Sequence, residues 1–358
     1  MPVPVPAPQP TMPVPPATSF ASDNHAGVDP AVLEALAAAN VGSAGAYGED
    51  RWTERLAARF RDLFDAPVET LLCWGGTGAN VTGLASVLRG HEAILTVDSA
   101  HIVVDECGAP ARFTGAQVIA VPAVDGKLVP EAVAPHLDWI GVEHHPQPRV
   151  LSVSQVSELG TVYTADELAT LADLAHAHGM VLHLDGARIA NAVAALDTDV
   201  PTLLRDTGVD VLTFGFTKNG AMYGEAVVHL DPALATNARF VRKQAGQLPS
   251  KARFVAAQGL ALLDGDRWLR NARAANRAAR RLWEAARDLP GVGLGGPPEA
   301  NALFPVLAPE RAAALAEWSF FWPWDPAEDR WRWMTSFATT DADVDAFVAG
   351  LRHLLARP

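Results

Sequence analysis

The chain has 358 residues, 49% of them apolar and 19% charged, which supplies a large core and excludes disorder throughout. Its 28 basic and 41 acidic residues leave a net charge of −13, which argues against nucleic acid or an anionic membrane as the main partner. The two cysteines, Cys73 and Cys107, are too few for a disulfide framework or a four-thiolate zinc centre.

Residues 1–18 read MPVPVPAPQPTMPVPPAT, with eight prolines in the first sixteen positions. Proline lacks an N–H and fixes φ, so this stretch is expected to be an extended, disordered tail. No lysine or arginine precedes Arg51, and no run of about 20 apolar residues occurs. Neither a signal sequence nor a transmembrane helix is therefore expected, and the cytoplasm is the expected compartment.

After Ser19 short apolar runs alternate with amphipathic ones. The runs Leu71–Trp74, Ala93–Val97, Gln117–Pro122, Val150–Ser154, Val181–Leu184, Val211–Phe214 and Ala226–Leu230 read as buried strands. Helical patterns separate most of them. The clearest covers Thr164–His178, opening with Thr164 and Glu167 at capping-box spacing and ending at Gly179. Strands alternating with helices predict an α/β domain with a mostly parallel sheet over 19–250. Residues 251–358 read as a smaller α+β domain. It has a long helix near Asp266–Leu289, a turn and strand in GVGLGGPPEANALFPVL, a strand in WRWMTSF, and a closing helix in DADVDAFVAGLRHLL.

In parallel sheets ligands bind beyond the carboxyl ends of the strands, so the residues that follow each strand are the candidates. After the first strand comes Gly75-Gly76-Thr77-Gly78-Ala79-Asn80 and then a helix, a turn able to cradle a phosphate with backbone N–H groups. After the fifth comes Asp185-Gly186-Ala187-Arg188, either a local ion pair or a fixed carboxylate facing a cationic nitrogen. After the sixth comes Thr217-Lys218-Asn219-Gly220, where the lysine is either a surface cation or an amine nucleophile. A phosphate cradle, an acid and an amine nucleophile are together what pyridoxal phosphate needs. His101 follows the second strand and could lie over its ring. His144 and His145 precede the fourth strand. A metal is a rival reading for the histidines, with His183 and Asp185 as further ligands. No third ligand comes at a diagnostic spacing, so no metal is expected. Arg332 lies on one face of its strand and is either a surface arginine or a fork for a substrate carboxylate.

These motifs, in order, resemble the pyridoxal-phosphate-dependent L-threonine aldolases, close to the bacterial low-specificity type. The resemblance runs from about Phe20 to the C-terminal helix. It is carried by Ser22-Asp23-Asn24, Ala46-Tyr47-Gly48-Glu49-Asp50, GGTGAN at 75–80, SAHI at 99–102, SELGTVY at 157–163, HLDGARIANA at 183–192, TKNG at 217–220 and RKQAGQLPSKARF at 242–254. It implies a fold type I enzyme with a seven-stranded sheet and a small C-terminal domain. It also implies a lyase that cleaves β-hydroxy-α-amino acids to glycine and an aldehyde. Lys218 is then the Schiff-base lysine, Asp185 the partner of the ring nitrogen and Arg188 the contact to the ring hydroxyl. Gly76 and Thr77 hold the phosphate, and His101 stacks on the ring. Ser22 and Arg332 hold the substrate carboxylate, with Arg188 beside them. His144, or His145 next to it, lies near the β-hydroxyl, and Lys243 reaches a neighbouring subunit's phosphate. The base is His101, His144 or a water. A homodimer or homotetramer with shared active sites is implied. The same fold also supports β-elimination, transamination or a biosynthetic aldol condensation. The sequence departs from the family pattern at Phe216, at Ala221-Met222-Tyr223, and at Trp322, Pro323 and Trp324 beside Arg332.

Overall fold

The computed structural model describes residues 12–356. All seven expected strands form: β1 (Glu69–Cys73), β2 (Glu92–Val97), β3 (Gln117–Val121), β4 (Gln147–Ser154), β5 (Val181–Gly186), β6 (Val211–Gly215) and β7 (Glu225–His229). They make one sheet in the order β1-β7-β6-β5-β4-β2-β3. Every pairing from β6 to β3 is parallel, and β7 runs antiparallel to both β1 and β6. The parallel strands need crossovers, and helices supply them. The helix Ala165–Ala177 between β4 and β5 carries the expected capping box from Thr164 and Glu167. Because both faces of the sheet are covered, β5 and β6 are buried along their whole length.

A second, antiparallel sheet has the order β8-β10-β9, from β8 (Ala302–Leu303), β9 (Trp322–Asp325) and β10 (Arg330–Met334). The sequence did not predict β9, whose Pro323 breaks the strand pattern. As an edge strand β9 needs no N–H at that position. Helices Pro309–Trp318 and Asp341–Leu355 back this sheet, and Phe321, Trp333 and Phe347 form its aromatic core.

The expected boundary at 250/251 is displaced in the structure. Helix Ala252–Leu263 packs in the large core, as do Trp268 and Ala272 at the start of helix Arg267–Ala286. Ala278, Leu282 and Ala286 of the same helix belong to the second core. One continuous apolar face along this helix joins the two layers, so a change in composition at 250 does not mark their seam.

The expected disordered tail also needs correction, because residues 12–18 dock on the small domain. Pro13 accepts a hydrogen bond from Trp318 Nε1 at 2.8 Å, and Ala17 and Thr18 N–H groups donate to Asp343 Oδ1. An extended chain keeps its carbonyls and its remaining N–H groups available, which is enough for docking. The rest of the tail lies outside the described residues. Among the described residues, no helix is long and apolar enough to cross a membrane.

Candidate active site

The candidate residues converge where β2, β4, β5 and β6 end. Asp185 is level with Ser154 of β4 and Thr213 of β6. Its Oδ1 accepts from Ala187 N at 3.0 Å and its Oδ2 from Asn80 Nδ2 at 2.7 Å. Asn80 lies on helix Gly76–Val87 and is fixed in turn by Thr213 Oγ1, which donates to its carbonyl oxygen. The same amide donates to Glu106 Oε1 at 2.8 Å, so one buried side chain clamps two carboxylates.

That helix begins at Gly76, after Gly75 in extended conformation and with no side-chain cap. Ala79 N donates to Gly75 O, so the N–H groups of Gly76, Thr77 and Gly78 precede the helical ladder. Open donors at the positive end of a helix favour a phosphate.

Lys218 stands on a single 3-10 turn, Thr217–Asn219, directly beyond β6. Two glycines make the approach of its segment to Asp185 sterically feasible. A Cβ on Gly215 would overlap the Ala187 carbonyl, and Gly220 closes the turn at φ 114°. Among the described residues the Lys218 amine has no hydrogen bond or ion pair. It does bear electrostatically on Asp23, His101, Glu158 and Glu225. Glu225 beneath it is pushed by burial up to about 7, although Phe216 N donates to its carboxylate. Phe216 itself is buried against Phe60 and Phe214, so this departure from the family pattern fills core space.

His101 opens a short helical turn beyond β2. Its Nδ1 lies 2.8 Å from Glu106 Oε1, and that bond raises the imidazole pKa against the opposing effect of burial. Glu106 Oε2 is buried without a partner. The ligand atoms of His101, Glu106 and Asp185 lie within 4.8 Å of one another, a separation already accounted for by these hydrogen bonds.

Arg188 is buried and forks onto Asp23, with Nε to Oδ2 at 2.7 Å and Nη2 to Oδ1 at 3.0 Å. Burial alone would raise the Asp23 carboxyl, but the guanidinium holds it below the usual range. Asn301 Nδ2 also donates to Asp23. Ser22 accepts from Asn24 N and caps the turn that carries Asp23. Arg332 on β10 donates Nη2 to Ala21 O, lies 5.3 Å from the Trp324 ring centroid and leaves its buried Nε without a partner. Burial, then repulsion from Arg188, lowers its pKa.

Two expected residues stand apart. His144 is exposed and lines a surface hollow with His91, Glu92 and Gln117, which mark the starts of β2 and β3. β4 runs from Gln147 to Ser154, about 23 Å at 3.3 Å per residue, so His144 lies at the opposite end of the sheet from Asp185. Its residue type suited the role, but its place before a strand did not. His145 is also exposed and stacks on Trp139 at 4.9 Å. Lys243 is exposed on helix Ala238–Gln244, its ammonium 5.1 Å from the Tyr47 ring centroid and outside the cluster of its own chain.

Four members of the cluster were given no role from the sequence: Asp23, Asn80, Glu106 and Glu158. Glu158 lies four residues beyond Ser154, where a search of strand ends would have found it.

Comparison with known proteins identifies the family. The family model described as beta-eliminating lyase matches residues 19–308. The low specificity L-threonine aldolase of Pseudomonas aeruginosa is 41% identical over 305 residues, covering 84% of this chain and 88% of that protein. The enzyme of the same name from a Pseudomonas sp. is 37% identical, covering 94% and 98%. The structure of the Leishmania major threonine aldolase superposes with a TM-score of 0.87 at 30% identity, covering 94% of this chain and 99% of that one. The chain is therefore a fold type I lyase and belongs to the threonine aldolases within the beta-eliminating lyase family.

Proposed function

We propose that this protein cleaves L-threonine, L-allo-threonine or a related β-hydroxy-α-amino acid to glycine and an aldehyde, using pyridoxal 5'-phosphate. The observation that carries the reading is the unpartnered Lys218 amine beside Asp185, within a cluster flanked by an open helix N-terminus. The donor set fits the coenzyme. The N–H groups of Gly76 and Thr77 suit its phosphate, Asp185 its ring nitrogen, and Lys218 its aldehyde carbon. His101 suits the ring face, and the orphaned Glu106 Oε2 lies in the same network. When bound, the coenzyme supplies a sink for the electron pair released at Cα.

The chain's own residues do the rest. Asn80 holds Asp185 and Glu106 at fixed separation, and Glu106 orients His101 through Nδ1 and raises its pKa. Arg332 offers its free donor to the substrate carboxylate beside Ser22. Arg188 is committed to Asp23, so it orders the pocket and leaves Nη1 for the ring hydroxyl. Trp74, Tyr223, Met222, Tyr47 and Phe240 leave apolar surface near the helix end that bears Gly76. A second copy covering them would bring its own Lys243 to that helix end, which fits a homodimer or homotetramer with shared sites. A cytoplasmic location is part of the same proposal.

Incubation of the coenzyme-loaded protein with L-threonine, L-allo-threonine and phenylserine is the test. The expected products are glycine and the matching aldehyde. Pyruvate and ammonia from serine, with no aldehyde from any of the three, would replace cleavage by elimination.

A further inference from the structure

Retro-aldol cleavage requires a group that takes the proton from the β-hydroxyl as the Cα–Cβ bond opens. His144 is at the wrong end of the sheet. His101 is in the site, but its Nδ1 is committed to Glu106, a bond that raises the pKa of a ring placed to stack on the coenzyme.

Glu158 answers the requirement. β4 ends at Ser154, level with Asp185, and the chain then forms a tight turn. Ser157 N donates to Thr161 O and Gly160 N to Ser157 O, both at 2.9 Å, and the Ser157 and Thr161 hydroxyls meet at 2.6 Å. This turn holds Glu158 half-buried, and its carboxylate has no hydrogen bond or ion pair among the described residues. The groups that act on it come from every side of the pocket: Arg188 and Asp185 at the end of β5, Lys218 beyond β6, and His101 beyond β2. Glu158 in turn acts on Arg332 of β10. A half-buried acceptor with no donor, at the meeting point of these residues, is open to a donor from a ligand. Burial pushes its carboxyl above the usual range while Arg188 and Lys218 pull it down, which brings it closer to the pKa of an effective base.

We propose that Glu158 is the catalytic residue that removes the proton of the substrate's β-hydroxyl. This assignment rests on the aldolase reading. A Glu158 oxygen takes the proton, and the O–H pair becomes the π bond of the aldehyde. The Cα–Cβ bond breaks and its pair stays with Cα. Cα then gains one proton and Glu158 loses one, so the residue ends as it began and the products are glycine and an aldehyde.

The experiment compares wild type with Glu158→Gln as full-length, coenzyme-loaded protein in two reactions. The first is aldehyde release from L-threonine. The second is exchange of the glycine Cα hydrogen into heavy water, followed by NMR, which needs the coenzyme, Lys218 and Asp185 but no β-hydroxyl base. Aldehyde release is expected to fall about 100-fold or more in kcat, with glycine exchange and the coenzyme absorbance within about twofold. Glu158→Asp, which keeps a base on a shorter arm, is expected to recover part of the release. Release by Glu158→Gln within about threefold of wild type would overturn the proposal, as would a parallel loss of both reactions. If wild type exchanges glycine but frees no aldehyde, the aldolase reading itself fails and takes this assignment with it.

Discussion

At one end of the large sheet β2, β4, β5 and β6 finish, and there Asp185, Glu106 and His101 are drawn together around Asn80. At the other end β2, β3 and β4 begin, and there His91, Glu92, Glu143 and His144 line a shallow hollow open to water. The residue types are alike and the environments are opposite. Helices start at the first end, and at Gly76 the helix presents N–H groups that attract anions. Helices finish at the second end, as His178 shows by capping Ala165–Ala177. Charge is therefore buried and cross-linked where strands end, and solvated where they begin. The raised imidazole of His101 and the raised carboxyl of Glu158 both belong to the first setting.

The largest expected effect breaks the first end outright. Lys218→Ala removes the amine placed beyond β6 for the coenzyme's aldehyde, while neighbours such as Asp185 and Asn80 keep their bonds. Aldehyde release is expected to drop at least about a thousandfold, the scale of losing a covalent catalytic group. Borohydride treatment should fix the coenzyme to wild type and not to the variant, which mass spectrometry reads directly. Full activity in Lys218→Ala would dissolve the distinction between the two ends.

Much of that first end was legible because it is built from local signals. Each strand carries its own apolar run; Gly76, Thr77 and Lys218 follow a strand within a few residues, and Asp185 stands at the end of one. What escaped detection depends on distance along the chain or on an exception to a rule. Asp23 meets Arg188 across 165 residues, and no spacing announces that pairing. Glu106 matters only through Asn80 and His101. The strand β9 contains a proline that only an edge accommodates. The docking of residues 12–18 depends on Asp343, whose Oδ2 serves the Thr340 cap while Oδ1 serves Ala17 and Thr18. His144 is the converse case, since a suitable residue type drew attention to a position at the far end of β4 from Asp185.

A second test concerns the middle of the sheet, between the two ends. His183 on β5 and His229 on β7 lie in the same row, each opposite Val211 of β6. Ser152 bonds His183 Nδ1 and Ser86 bonds His229 Nε2, and the other nitrogen of each ring is buried without a partner. Burial lowers both pKa values to about 4. The folded chain keeps these rings neutral, whereas the unfolded chain protonates them below about pH 6.5. The unfolded state thus binds more protons between pH 6.5 and 4, so this contribution is complete above pH 6.5 and declines as pH falls. By pH 5 each ring should cost roughly 2 kcal/mol of stability. Glu225, raised to about 7, acts in the opposite sense by losing stability as pH rises from 4.5 to 7. Urea denaturation of wild type and His229→Gln at pH 7 and pH 5 isolates the histidine. The variant should lose about 2 kcal/mol less than wild type over that interval. Equal losses would mean that the ring is not held neutral.

The smallest expected effect sharpens the comparison most. His144→Ala alters an exposed side chain at the start of β4, with the length of that strand between it and Asp185. A surface substitution of this kind changes free energies by no more than about 0.5 kcal/mol, so aldehyde release and thermal stability should stay within about twofold. Glu158→Gln, at the far end of the same strand, should abolish most of the release. One strand would then separate a silent residue from a decisive one, although both carry groups able to accept a proton. A tenfold loss in His144→Ala would instead require His144 to meet substrate in the assembled enzyme. Strand direction within one subunit would then no longer decide which titratable groups do chemistry.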